Sequence, residues 1–133
     1  MHKIHHRIDI QVEIVPVPFE KMAEKTLSEN STSIRERVIK ARKIQEQRFM
    51  NHPGIHCNAQ MEAGLIHEFA EPDTQGLNLL RNAMSRLNLS ARAYDRILKV
   101  ARTIADLEGS ADVKQHHIAE AINYRNLDRE DRL

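Results

Sequence analysis

The stretch from Ser90 to Gly109 constrains this chain more than any other. At 100° per residue, Tyr94, Ile97, Leu98, Ala101, Ile104 and Ala105 fall in one contiguous sector of a helix. The Ser90 hydroxyl suits an N-cap, and Gly109 suits the left-handed residue that closes a helix, so the pattern predicts a helix over 91–108. A long helix that is apolar along one side has to bury that side against other elements.

The rest of the chain supplies partners of the same kind. Ile34, Val38, Ala41 and Ile44 recur at helical spacing behind Thr32 and Ser33, either of which can cap a helix running to about residue 50. Asn51-His52-Pro53-Gly54 stops it, and a loop continues to about residue 60. A short helix is predicted over 61–70, ended by Glu71-Pro72. The next starts at Asp73 and carries Leu77, Leu80, Met84 and Leu87 on one face. A last helix is predicted over 113–124, followed by a charged tail.

Only one segment reads otherwise. Residues 8–14 alternate apolar and polar, the period of a half-buried strand, before Val15-Pro16-Val17-Pro18 ends it. The remaining sequence offers it no partner, so it reads as a strand severed from a sheet lying upstream. The expectation is an all-α bundle of about five helices behind one severed strand. Its parts are a remnant strand and linker over 1–18, a helical domain over 19–126 and a charged tail over 127–133.

Composition agrees with helices. The chain has 133 residues, enough for one domain with a modest core, and aromatic residues make up 4% of it. Four Gly and four Pro are too few for a turn-rich all-β fold. A net charge of +1 makes the whole chain no general magnet for nucleic acid, so any basic surface must arise by local arrangement. The single cysteine, Cys57, cannot form an internal disulfide. Neither a signal peptide nor an apolar run of membrane-spanning length is present, which sets the expectation of a soluble, cytoplasmic protein with no membrane partner.

Two groups of side chains invite a chemical reading. Arg92, Arg96 and Lys99 lie within about 60° of one another, opposite the apolar sector of the 91–108 helix. Such a ridge is also what a solvated helix face looks like, with Asp95 and Asp106 near enough to offset part of it. Guanidinium groups would nevertheless suit phosphate, through their fixed, bidentate donors. The eight histidines invite a metal reading. Adjacent positions on a helix diverge by about 100°, which argues against His116 and His117 sharing one ion. His52, His56 and Cys57 give three ligands without a fourth, so no metal is expected there.

The run Leu89-Ser90-Ala91-Arg92-Ala93-Tyr94-Asp95-Arg96-Ile97-Leu98-Lys99-Val100-Ala101-Arg102-Thr103-Ile104-Ala105-Asp106-Leu107 resembles the sensor-2 helix of magnesium-chelatase-like AAA+ ATPases. Ile118-Ala119-Glu120-Ala121-Ile122-Asn123-Tyr124-Arg125 follows it as in that family, and Arg7-Ile8-Asp9-Ile10 resembles the end of the family's ATPase core. The likeness covers nearly all of residues 7–129 and is nearest to the branch linked to bacterial competence and DNA branch migration.

The resemblance implies a lid domain. Arg92 would be the sensor-2 arginine that reaches the γ-phosphate of nucleotide held by its own subunit. Arg7 would be the arginine finger inserted in trans into the neighbouring subunit of a homo-oligomeric ring, and Arg96 ranks below both. Both tasks need a permanent cation against a transferring phosphoryl group. ATP and Mg2+ would be cofactors of the intact protein and an upstream AAA+ core its partner, with DNA as the object of the motor.

The sequence departs from the family in one decisive respect. Nothing in it matches the Gly-x-x-x-x-Gly-Lys-Ser/Thr phosphate cradle or a hydrophobic strand ending in paired acids. The chain alone is therefore not expected to hydrolyse nucleotide or to hold a cofactor. Arg7 also follows Met1-His2-Lys3-Ile4-His5-His6 rather than the family's usual lead-in, which looks like a truncation point. Three functions stay open: the lid of a DNA motor, the lid of a true chelatase motor subunit, or a stand-alone helical module that binds nucleic acid or protein through the Arg92-Arg96-Lys99 ridge.

Overall fold

The computed structural model describes residues 30–130, with side chains to residue 124. The expected strand over 8–14, the linker and Arg7 lie outside the described residues. Five α-helices follow: α1 (Ser31–Arg48), α2 (Ala63–Phe69), α3 (Thr74–Arg86), α4 (Ala91–Glu108) and α5 (Gln115–Glu130). One 3-10 turn, Asn58–Gln60, sits between α1 and α2. The fold is an all-α helical bundle. Among the described residues there is no strand; Pro72 and Val113 form a single isolated parallel bridge, with the Asp73 N–H donating to the Val113 carbonyl at 3.0 Å.

Each helix begins where a short polar side chain can replace a missing backbone partner. Asn30 caps α1, its Oδ1 accepting from the Ser33 N–H at 2.8 Å. The cap therefore lies two residues before Thr32, and Thr32 and Ser33 become first-turn residues. Asp73 caps α3 through the Gly76 N–H at 2.7 Å, and Ser90 caps α4 through the Ala93 N–H at 3.2 Å, as expected. Gly109 closes α4 with φ +81°, and the Ser110 N–H reaches back to the Ala105 carbonyl at 2.8 Å.

Asn88 (φ +52°) does the same work after α3, with the Leu89 N–H on the Met84 carbonyl at 3.0 Å. Helix α5 starts two residues later than expected, because Val113 is spent in the bridge. Its backbone then stays helical to Glu130, beyond the end expected near Tyr124 and into the predicted tail.

Helix α4 is the axis of the bundle, with α1, α2, the 3-10 turn and α5 packed on it and α3 on α5. Ile97, Leu98, Ala101 and Ala105 are buried as the periodicity requires, with Leu80, Ala83, Val113, Ile118 and Ala121 completing the core. Each large aliphatic chain so buried contributes about 1.5–3 kcal/mol. Gly76 lets α3 approach α5, since a Cβ there would stand 2.9 Å from Asp73 Oδ1 and 3.4 Å from Ile118 Cγ1. Helix α1 is the exception: its buried residues, Ala41 and Gln45, both lie in its C-terminal half, and Ile34 and Ile39 are each 45% exposed.

Candidate functional site

Ser90 fixes where α4 starts, and so fixes Arg92 in its first turn, where the side chain is exposed. That is the positive end of the helix dipole, which disfavours a cation and favours an anion. No acid occupies the first turn, and no hydrogen bond or ion pair engages Arg92 among the described residues. An uncompensated guanidinium at a helix N-terminus is an arrangement that a bound anion would stabilise.

The other two ridge cations differ. Lys99 donates its Nζ to the Ala59 carbonyl at 3.1 Å, tying α4 to the 3-10 turn. Arg96 is half-buried and has its own partner. The three are on one side of α4, yet only Arg92 is unengaged. A cleft between α2 and α4 is lined by residues that include His67, Glu71, Tyr94 and Asp95, with Arg92 outside its lining.

A second cluster is buried and was not foreseen. Asp106, expected as a surface acid offsetting the ridge, is 2% exposed. Arg48 donates Nη1 to its Oδ2 and Nη2 to its Oδ1, each at 2.7 Å. Asn58 adds Nδ2 at 2.8 Å, and Arg102 stands 3.2 Å away. Arg102 also donates to the carbonyls of Ser110, Ala111 and Phe69 at 2.7, 3.0 and 3.3 Å.

Burial pushes the Arg102 guanidinium below its ordinary pKa, against the opposing pull of Asp106. Every carboxylate oxygen of Asp106 is occupied, so the group is a brace holding α1, the 3-10 turn and the end of α4 together. The sequence signal was the Arg102–Asp106 pair, four residues apart on the flank of the apolar sector.

The histidines also resolve. His52 packs edge-on against Phe49 and Phe69, at 6.4 and 5.8 Å between centroids, so its loop is held by aromatic contact. His116 and His117 do converge, contrary to the divergence expected from their spacing: both Nε2 atoms lie 2.9 Å from Glu108 Oε2, and the ring centroids are 3.9 Å apart. Two rotatable bonds in each side chain undo the divergence of the Cβ atoms.

The three make the one metal-compatible group among the described residues. His117 Nδ1, however, accepts the Lys114 N–H at 2.9 Å, which leaves the proton on Nε2, where it donates to Glu108. A ring so committed has no lone pair facing an ion. It is the reaching-back arm of a capping box on α5, with imidazole in the usual place of a carboxylate.

Residues 28–125, which include the α1 cap, the ridge and the buried brace, match the family described as magnesium chelatase, subunit ChlI C-terminal. The chain belongs to the magnesium-chelatase C-terminal family. Within it, the chain is 36% identical over 124 residues to the competence protein ComM of Haemophilus influenzae, covering 92% of this chain and 23% of that protein. It is 35% identical over 125 residues to the uncharacterized protein YifB of Escherichia coli, covering 92% of this chain and 24% of that one.

A protein of Mycobacterium tuberculosis, likewise uncharacterized, is 34% identical over 97 residues, 73% of this chain and 19% of its own length. The chain thus spans less than a quarter of the curated relatives it matches. Arg92 and Arg96 lie inside the matched family region and Arg7 outside it. No described helix is long and apolar enough to cross a membrane.

Proposed function

We propose that this magnesium-chelatase C-terminal domain is the lid of an AAA+ ATPase, with Arg92 as its sensor-2 residue. The observation that carries the reading is the unpaired Arg92 at the positive end of α4, in a chain of this family. Arg92 would donate to a terminal phosphate oxygen of ATP bound by the same subunit, with Arg96 one turn along as a lesser contributor. Guanidinium fits that anion: it is permanently charged and matches phosphate oxygens in pairs.

Mg2+ would be held elsewhere in the whole protein, since the one three-ligand group among the described residues lies at the opposite end of α4. When bound with ATP, the ion would neutralise phosphate charge. The assignment of 1–18 to an upstream core, of Arg7 to a finger acting in trans, and of a homo-oligomeric ring belongs to the same proposal. So does motor action on DNA, which the likeness to a competence protein favours over a chelatase motor.

The test uses the whole protein with Arg92→Ala. ATP hydrolysis should fall by about 100-fold or more while nucleotide binding changes less, as for loss of a preorganised donor to developing charge. Unchanged turnover refutes the sensor role. For Arg7→Ala, mixing with a subunit whose own site is dead should restore part of the activity.

A further inference from the structure

The strip by which α1 packs continues past the point where the bundle covers it. Ile34, Val38, Ala41 and Gln45 lie within about 60° of one another around the helix. Ala41 and Gln45 are 3% and 8% exposed, Val38 is half-buried, and Ile34 is 45% exposed. Toward the N-terminus of α1 the strip therefore emerges from the bundle while staying apolar.

The uncovered half is a poor helix on its own. It opens with Ser31, Thr32 and Ser33, which favour helix less than Ala or Leu, and the Asn30 cap supports it locally. Helical segments shorter than about 12–15 residues are marginal in water, and most gain their stability by packing an apolar side. A cover over Ile34 and Val38 would supply that packing to residues 31–39.

We infer that Ile34 and Val38 form the surface by which this domain docks on the polypeptide preceding it in the whole protein, the ATPase core of the proposed function. Naming that occupant rests on the lid reading, whereas the surface itself owes nothing to Arg92. Two arguments favour it over a second copy of this chain. The family matched is described as C-terminal, its region starts at residue 28, and the chain spans less than a quarter of its curated relatives. What precedes it thus joins α1 at the uncovered end. The strip is also small: the exposed parts of two aliphatic side chains come to on the order of 100 Å², against about 800 Å² per partner for a stable pair of separate proteins. A tethered partner needs far less, because a short linker keeps it at a high effective concentration.

The experiment compares hydrogen exchange in the 133-residue chain and in the whole protein, both without nucleotide. Amides 35–39, inside α1, should exchange at least about tenfold more slowly in the whole protein. Ile34→Asp in the whole protein should return them to the rate of the 133-residue chain. An acid near the positive end of α1 stabilises the helix itself, so fraying cannot produce that result. Ile39→Asp, roughly 140° away around the helix, should leave the slow exchange in place.

Equal exchange in the two proteins overturns the inference, as does protection that survives Ile34→Asp. Protection that grows with concentration in the 133-residue chain would show a second copy on the strip and overturns it too. Arg92→Ala should leave the protection intact, so unchanged turnover in that variant refutes the sensor role without touching this result.

Discussion

Arg48 and Asp106, 58 positions apart in the chain, meet through two parallel hydrogen bonds of 2.7 Å, with the Asp106 side chain 1% exposed. The pair joins the end of the first described helix to the end of α4. Arg102 and Asn58 take up the remaining acceptor capacity of the carboxylate.

Removing the acid alone leaves two guanidinium groups facing each other out of water. Asp106→Ala should cost about 3–5 kcal/mol, the usual penalty for stranding one side of a buried ion pair. Urea denaturation followed by circular dichroism measures it. A loss under 1 kcal/mol would mean that water enters the cluster and compensates. Arg48→Met should be milder, because Arg102 and Asn58 still hold the carboxylate.

Arg92 should behave in the opposite way. Arg92→Ala is expected to leave the stability of the domain unchanged or to raise it by up to about 1 kcal/mol, since a cation leaves the positive end of α4. Thermal melts of the two chains decide this. Marked destabilisation would reveal a structural role and weaken the sensor reading.

The Glu108 carboxyl is held below its ordinary range, chiefly by hydrogen bonds from His116 and then His117. A folded value below the unfolded one contributes stability above the unfolded pKa, and loses it as pH falls through the folded pKa. The stability gap between the native chain and Glu108→Gln should thus be present near neutral pH and close in acid. A gap that persists unchanged in acid would disprove the charge-based account.

Two glycines make a paired test. Gly76→Ala gains helix propensity worth about 1 kcal/mol but drives a Cβ to 2.9 Å from Asp73 Oδ1 and 3.0 Å from Pro72 Cβ, so a net loss of about 1–2 kcal/mol is expected. Gly64, with nothing within 4 Å, should give a gain of a few tenths to about 1 kcal/mol on the same change. Equal effects at both sites would show that the Asp73 cap simply moves aside.

Much of the architecture was legible in residue order, for local reasons. Ser90 and Gly109 bound α4, and the apolar sector between them buries as its period demands. Helix boundaries slipped where long-range contacts intervened: the Val113 bridge delays α5, and Asn30 captures the start of α1 from Thr32 and Ser33. The candidate site was legible only in part. Spacing puts Arg92, Arg96 and Lys99 on one side of α4, but the partner of Lys99 is the Ala59 carbonyl, 40 positions away in the chain. Of the Asp106 brace, only the Arg102–Asp106 spacing was legible, for the same reason. A charged residue at the margin of an apolar sector looks solvated until Arg48 and Asn58 are brought to it.

Among the described residues, α1 is held to the bundle through its C-terminal half and its Arg48 clamp. Residues 31–39 extend about 12 Å along the axis. A tilt of 10° about the anchored end would swing the Ser31 tip by roughly 2 Å over that length. The clamp ties this helix to Asp106, near the end of the same helix whose beginning carries Arg92.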